Sequence, residues 1–418
     1  MRLRLLFCLA LVGIAGVAPA QAQAQDWPAP FEPTQVLTLE LEMDPADWDT
    51  IRHDATNEIE VPAMFRATGD AGPILVSVRR KSSRALPSEA DPIKVGMKVD
   101  INEFVDQKWR KLTKLSLENG SDTDPVSEGL AWNLHELAST GGYYGGSRHA
   151  GLASWVKVYV NGDYLGVYVN AEERDKQFLK NRGTWFDDQT WLYEIDDIGA
   201  FELEEGDPHS PTYALLCFPP FRSAKAPGTC ATPDDASLAA LLPAQIDMQS
   251  MLTEGAVDAF SSNGDALFTH GKNFRHVDFA SELGLERLYF MWDLDGAITN
   301  TNAHIYGRAS KRRFEQSDYE RVILNHPDFR LQYNAILLGL TAPGDASTAP
   351  GPLSELRLHA FLDAVEPALA APLAQDPFQP ITAASHFAGL RDWVSDRVAV
   401  VRRLAVANQP APRPPYGP

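Results

Sequence analysis

Four side chains in the second half of the chain have types and spacings suited to chemistry on a charged substrate. The run "FMWDLDGAITN" (290–300) ends an apolar stretch on Asp293 and, two residues later, Asp295. If the strand continues, alternation puts both carboxylates on one side. Two like charges that close repel unless a cation, a proton or a cationic side chain intervenes. The run is therefore either a strand leaving the core for a solvated turn or one wall of a metal site. Upstream, "SSNGDALFTHGKNFRHV" supplies Asp265 and then Asn273. A loop carboxylate can orient or deprotonate an attacking hydroxyl, or simply cap its loop. An Asn amide oxygen together with Asp293 can hold Mg²⁺ against phosphates, and Mg²⁺ needs few protein ligands because water and phosphate complete its shell. Paired carboxylates on one strand face would flank no scissile bond, which disfavours glycosidase chemistry.

These groups need particular elements around them. "DMQSMLTEGAVDAFSS" reads as the helix that delivers the Asp265 loop, and "NFRHVDFASELGLERLYFMWDLD" as a hairpin turning at "SELGL". A second hairpin, "SWVKVYVNGDYLGVYVNAEE", has two alternating runs around Asn161-Gly162-Asp163. Strands are expected at "VLTLELEM", "ILVSVRRKSS", "KVGMKVDIN" and "WRKLTKLSLENGS". Helices are expected at "DPADWDTIR", capped by Asp44, and "DPVSEGLAWNLHELAST", started by Asp124 and Pro125. Residues 196–240 read as loop-rich, and the C-terminal part as mostly helical. "GGYYGG" (141–146) lacks the lysine of a phosphate loop and follows a helix rather than a strand. The expected class is α+β, strands early and helices late.

The 418 residues carry a formal net charge of -19, which argues against nonspecific nucleic-acid or anionic-membrane binding but not against a nucleotide held by local cations. Arg2 and Arg4, an apolar run over residues 5–17 and alanines at 18, 20, 22 and 24 form a secretory signal over residues 1–24. The apolar run is too short for a stable membrane anchor, so the expected location is the periplasm or the medium. In an oxidising compartment Cys217 and Cys230, left after signal cleavage, are expected to pair. The proposed layout is a linker (25–35), a strand-rich region (36–195), a helix-rich region (196–408) and a disordered tail (409–418). The tryptophans read as packing residues, and His135, His149, His276 and His304 as structural. His270, in the Asp265 loop, can bond a phosphate or the substrate.

A loop Asp, a later loop Asn, a hairpin and a metal-binding Asp form the layout of kinase-like centres, although the usual signature strings are absent. "WVKVYVNGDYLGVYVNAEE", "NGDALFTHGKNF" and "FMWDLDG" are similar to the CotH (spore coat protein H) kinase family, and weaker likeness covers residues 36–408. The resemblance implies a two-lobed protein-kinase-like fold, ATP with Mg²⁺ or Mn²⁺, and phosphoryl transfer to a protein. It implies that Asp265 is the catalytic-loop Asp, Asn273 and Asp293 the metal ligands with Asp295 assisting, and Glu172 the acid near the nucleotide. Lys94 and Lys98 are the candidate nucleotide lysines, and Arg79 or Lys81 can also reach phosphate. The segment "VRRKSSRALPSEADPIKVGMKV" lacks the family's glycine and carries an insertion. Two other readings stay open: a binding or assembly protein that kept the fold, and a different ATP-dependent modification such as adenylylation.

Overall fold

The computed structural model describes residues 29–81, 94–120, 124–145, 150–197, 200–209, 235–281, 284–306 and 320–408. The expected signal segment, His149, the Cys217–Cys230 pairing and the tail lie outside the described residues. Among the described residues no helix is long and apolar enough to cross a membrane.

Seven strands form a closed barrel: β1 (Leu37–Glu42), β2 (Glu60–Ala67), β3 (Ile74–Arg80), β4 (Met97–Asp100), β5 (Lys114–Glu118), β6 (Ala153–Val160) and β7 (Asp163–Ala171). Their order is β1-β2-β3-β4-β5-β7-β6, and a parallel pairing of β1 with β6, Leu39 opposite Val158, closes it. Alternation fills the interior with Leu39, Phe65, Val78, Val99, Leu115 and Val158. The opposite face of β3–β5 is charged, because the register sets Arg79 beside Lys98 and Lys98 beside Ser116. The strand-rich region is therefore a closed barrel, with no open edge.

A second, four-stranded antiparallel sheet has the order β11-β10-β8-β9, from β8 (Thr190–Asp197), β9 (Ala200–Glu205), β10 (Phe274–Ser281) and β11 (Gly284–Met291). Around it run α2 (Pro125–Thr140), α4 (Asp235–Gln245), α5 (Met248–Ser261), α6 (Pro327–Leu340), α7 (Glu355–Ala374) and α8 (Ala383–Ala407), while α1 (Pro45–Arg52) and α3 (Lys176–Asn181) are short. The expected caps are present: Asp44 accepts from the Ala46 N–H, and Asp124 from the Val126 and Ser127 N–H groups. α2 is buried over nearly its whole length, polar Glu128, Asn133 and His135 included, and lies between the barrel and α5.

The sequence reading omitted β2, β8, β9 and α4. Pro62 sits inside β2, opposite Ser77, where a proline argues against a strand. β9 and α4 fall within the stretch read as loop-rich. β11 ends at Met291, so Asp293 and Asp295 are not alternating strand residues.

One buried ion pair ties the barrel to the α7–α8 connection. Lys94 Nζ lies 2.9 Å from Asp376 Oδ2, and both groups are almost fully buried. Asp376 also accepts from the Val167, Phe378 and Gln379 N–H groups. Gly166 makes room for this carboxylate: its φ is +108°, and a Cβ there would stand 2.2 Å from Asp376 Oδ2. Breaking a buried pair from one side strands the other charge. Lys94→Met is therefore expected to cost about 3 kcal/mol of stability, read as a lower urea midpoint. Wild-type stability in this variant would contradict the clamp.

Candidate active site

The site is built where α5 ends. Ser262 caps α5 in the left-handed conformation, and the chain turns sharply into the Asp265 loop. The Asp265 carboxylate accepts from Lys272 Nζ at 3.0 Å and is bonded to His270 Nδ1. Burial raises its pKa, but the Lys272 and His270 hydrogen bonds outweigh this, and the carboxyl titrates below its ordinary value. The loop closes through the Gly271 N–H on the Ala266 carbonyl and arrives at Asn273, whose φ is +56°. Asn273 is pinned on both sides: its N–H donates to the Ile195 carbonyl at 2.7 Å, and its carbonyl accepts from the Trp292 N–H at 3.2 Å.

This pinning sets Asn273 against Asp293. Asn273 Nδ2 donates to Asp293 Oδ2 at 3.1 Å. Asp293 has a φ of +54°, so the chain turns there, leaving Leu294 buried, Asp293 exposed and Asp295 half-buried. A left-handed residue, rather than the strand pleating expected from alternation, presents Asp293. Trp292 anchors the turn. Its ring lies 4.4 Å from Lys81 Nζ and 4.6 Å from the Arg275 guanidinium, and meets Trp132 edge-to-face at 5.8 Å.

Lys81 comes from the charged face of the barrel, one residue beyond β3. It bonds Glu118 and donates to Ser116 Oγ at 2.7 Å. Burial lowers its pKa, but the Glu118, Glu173 and Asp293 carboxylates outweigh this and raise it. Asp293 shows the converse. The chain around it disfavours the charged form and Glu118 and Asp265 add repulsion, so its pKa stays raised despite Lys81 and Lys272. Glu128, on buried α2, faces the same centre. Burial first, then Glu118, Asp295 and Asp293, push its pKa well up, and among the described residues its Oε2 has no hydrogen-bond partner.

The remaining expected residues divide. Lys98 belongs to the cleft and pairs with Glu173 at 3.3 Å. Lys94 Nζ instead meets Asp376 and the Val167 carbonyl and is almost fully buried. Glu172 is likewise engaged. It is buried in a two-pronged pair with Arg182, at 3.0 and 2.7 Å, and accepts the Leu152 N–H. The next residue, Glu173, faces the cleft. Burial opposes its charge, but Lys98, Arg275 and Lys81 overcome that and hold its pKa at about 2. Arg79 lines a small polar crevice with Glu60, Ser77, Lys98, Asp100 and Lys114. His135 and His276 are fully buried, and His304 is half-buried beside the segment that follows Asp295.

Glu118, Glu128, Glu173 and Lys272 were missed. Lys272 and Glu173 are sequence neighbours of residues already singled out. Glu128 carried one signal, an acid inside a helix whose other residues are mostly apolar or small.

Among the described residues no three His, Cys, Asp or Glu side chains form a ready cage for a metal. The donors present still fit a hard divalent cation. Asp293 offers a carboxylate, the Asn273 amide offers an oxygen on rotation, and burial first, then the Glu118 and Asp265 carboxylates, hold up the Asp293 pKa. Such a cation needs few protein ligands when phosphate and water supply the rest.

A family model described as CotH kinase protein matches residues 77–398. The chain belongs to the CotH kinase family. No curated protein matches it. The CotH span contains every cleft residue named above, from Lys81 to Asp295. CotH membership brings a kinase-like, phosphotransferase character and, in general terms, the use of ATP and a divalent metal.

The two adjacent glutamates should separate in experiment. Glu172→Gln uncouples Arg182 and is expected to cost about 3 kcal/mol or more in urea unfolding. Glu173 has a folded pKa of about 2, below its ordinary value of 4.5. Its stabilisation is present above pH 4.5 and lost as pH falls towards 2. The stability gap between wild type and Glu173→Gln should therefore narrow over that window. A gap independent of pH there would contradict the assignment.

Proposed function

We propose that this chain is an exported protein-kinase-like enzyme that uses ATP and Mg²⁺ or Mn²⁺ to place phosphate on a hydroxyl of a secreted or envelope protein. The observation that carries this reading is the Asn273–Asp293 contact, set between Lys81 on one side and Asp265 on the other. The barrel serves as the N-terminal lobe and the helical layer as the C-terminal one, with the cleft between them. ATP would supply the phosphoryl group, and a divalent cation the charge neutralisation of its phosphates.

Each residue then has a task. Asp293 and Asn273 hold the cation, and Asp295 and Glu128 back them with negative charge. Lys81, steadied on Trp292, is the phosphate-facing lysine in place of Lys94, and Lys98 lies deeper beside Glu173. Asp265 is kept ionised by Lys272 and His270, so it is ready to accept a hydrogen bond from the acceptor hydroxyl and align it. The crowd of carboxylates makes the cation necessary, because a triphosphate would otherwise meet like charge. Export rests on the N-terminal basic, apolar and small-residue succession.

The test is incubation of the mature protein with γ-labelled and, separately, α-labelled ATP, with Mg²⁺ or Mn²⁺, beside Asp293→Ala. Label from the γ position alone is expected, lost by at least about a hundredfold in the variant. Label from the α position would indicate adenylylation. No label and no nucleotide-induced thermal shift would leave a binding or assembly protein.

A further inference from the structure

The chemistry above depends on where Asp265 sits: Leu267 and Phe268 anchor the following part of the loop in the core, but Asp265 itself is only half-buried. A cavity of about 290 Å³ lies against the loop, walled by Gly255, Asp258, Asn263, Gly264, Ala266 and Phe268. On that side polar contacts do the bracing. Asn263 Oδ1 accepts the Asp265 N–H at 3.0 Å. Asn263 Nδ2 donates to Asp258 Oδ1 at 3.2 Å, and the Asn263 N–H donates to the Asp258 carbonyl at 3.0 Å. Asn263 itself is 3% exposed.

Asp258 is held from behind. It lies on α5, and the oxygen that receives Asn263 stands 3.6 Å from His135 Nε2 on α2. His135 is completely buried. Its Nδ1 lies 2.9 Å from the Tyr144 hydroxyl and 3.4 Å from Glu254 Oε2, and Tyr144 donates to that same glutamate at 2.7 Å. Both ring nitrogens therefore face acceptors, which favours the imidazolium. Burial opposes that charge, but Glu254 and Asp258 lift the His135 pKa to about 9. A charge contact at 3.6 Å, longer than a hydrogen bond, thus sets His135 on α2 behind the Asp258–Asn263 bonds that reach the main chain of Asp265.

We propose that Asp258 and Asn263, with His135 as their buried counter-ion, are positioning residues that fix the backbone of Asp265 for phosphoryl transfer. The proposal rests on the kinase-like reading. It assigns these side chains no contact with nucleotide or acceptor. They act through the direction in which Asp265 is presented, and small misplacements of a catalytic group cost much in rate.

The test exploits the polarity of the Asp258–Asn263 bond in the full mature chain. Asn263→Asp keeps an acceptor for the Asp265 N–H but removes the donor and sets a second carboxylate against Asp258. It is expected to lower kcat for γ-phosphate transfer about tenfold or more, with KM for ATP changed less than about twofold. It should also speed hydrogen exchange at the Asp265 amide. Adding Asp258→Asn restores one donor and one acceptor and should bring kcat and exchange back to within about threefold of wild type. Asn263→Ala, which introduces no charge, should shift kcat and exchange in the same direction and serves if Asn263→Asp does not fold. A double variant no better than the single one, or a loss confined to KM, would overturn the proposal. Transfer absent from the wild type would overturn the kinase-like reading and the catalytic consequence with it. Unchanged exchange in Asn263→Asp and Asn263→Ala would overturn the bracing itself.

Discussion

Around Asp293, negative charge exceeds the positive charge available to balance it. Glu118, Asp265, Glu128 and Asp196 all bear on this carboxylate or are raised by it, against Lys81, Lys272 and Arg275. Burial is the largest cause of the raised pKa values of Asp293, Glu128 and Asp196, the last to about 6, and neighbouring carboxylates add to each. A fold does not gather such charge for stability, since the same residues replaced by neutral ones would relieve repulsion. The arrangement becomes favourable when a cation enters, and that is the physical reason for reading the cleft as a metal–phosphate centre.

The rest of the architecture keeps this unfavourable cluster in place. The barrel contributes a rigid charged face carrying Lys81, Lys98 and Glu118. Trp292 takes three cations, Lys81, Arg275 and Arg174, on its ring and locks the turn that presents Asp293. Asn273 and Asp293 both adopt left-handed conformations, which cost energy and persist only where neighbouring contacts fix them. Here those contacts are the backbone bonds from Asn273 to Ile195 and Trp292. Buried ion pairs, Lys94 with Asp376 and Glu172 with Arg182, fasten the barrel and its final hairpin to the elements beside them.

How much could be read from the sequence depended on the range of the interaction. The proximity of Asp265, Asn273 and Asp293 was legible because a loop, a hairpin and the turn after it bring them together within 29 residues of local structure. The two hairpins were legible from alternation around turn residues. Which of Lys81 and Lys94, and which of Glu172 and Glu173, faces the cleft was not legible, because it turns on strand parity and burial, which are tertiary facts. Lys81 rather than Lys94, and Glu173 rather than Glu172, happen to emerge on the cleft side. Glu128 lay furthest from view, since its partners come from β5 and from the segment beyond β11. β2 was obscured by Pro62, and β9 by its place in a stretch rich in loop-forming residues.

The most direct test is to locate Mn²⁺ by anomalous diffraction in crystals grown with a non-hydrolysable ATP analogue. The account predicts manganese bound by Asp293 and Asn273, with the phosphates on its far side and Lys81 turned from Glu118 onto them. Manganese bound elsewhere, or an analogue seated away from Lys81 and Asp293, would contradict it.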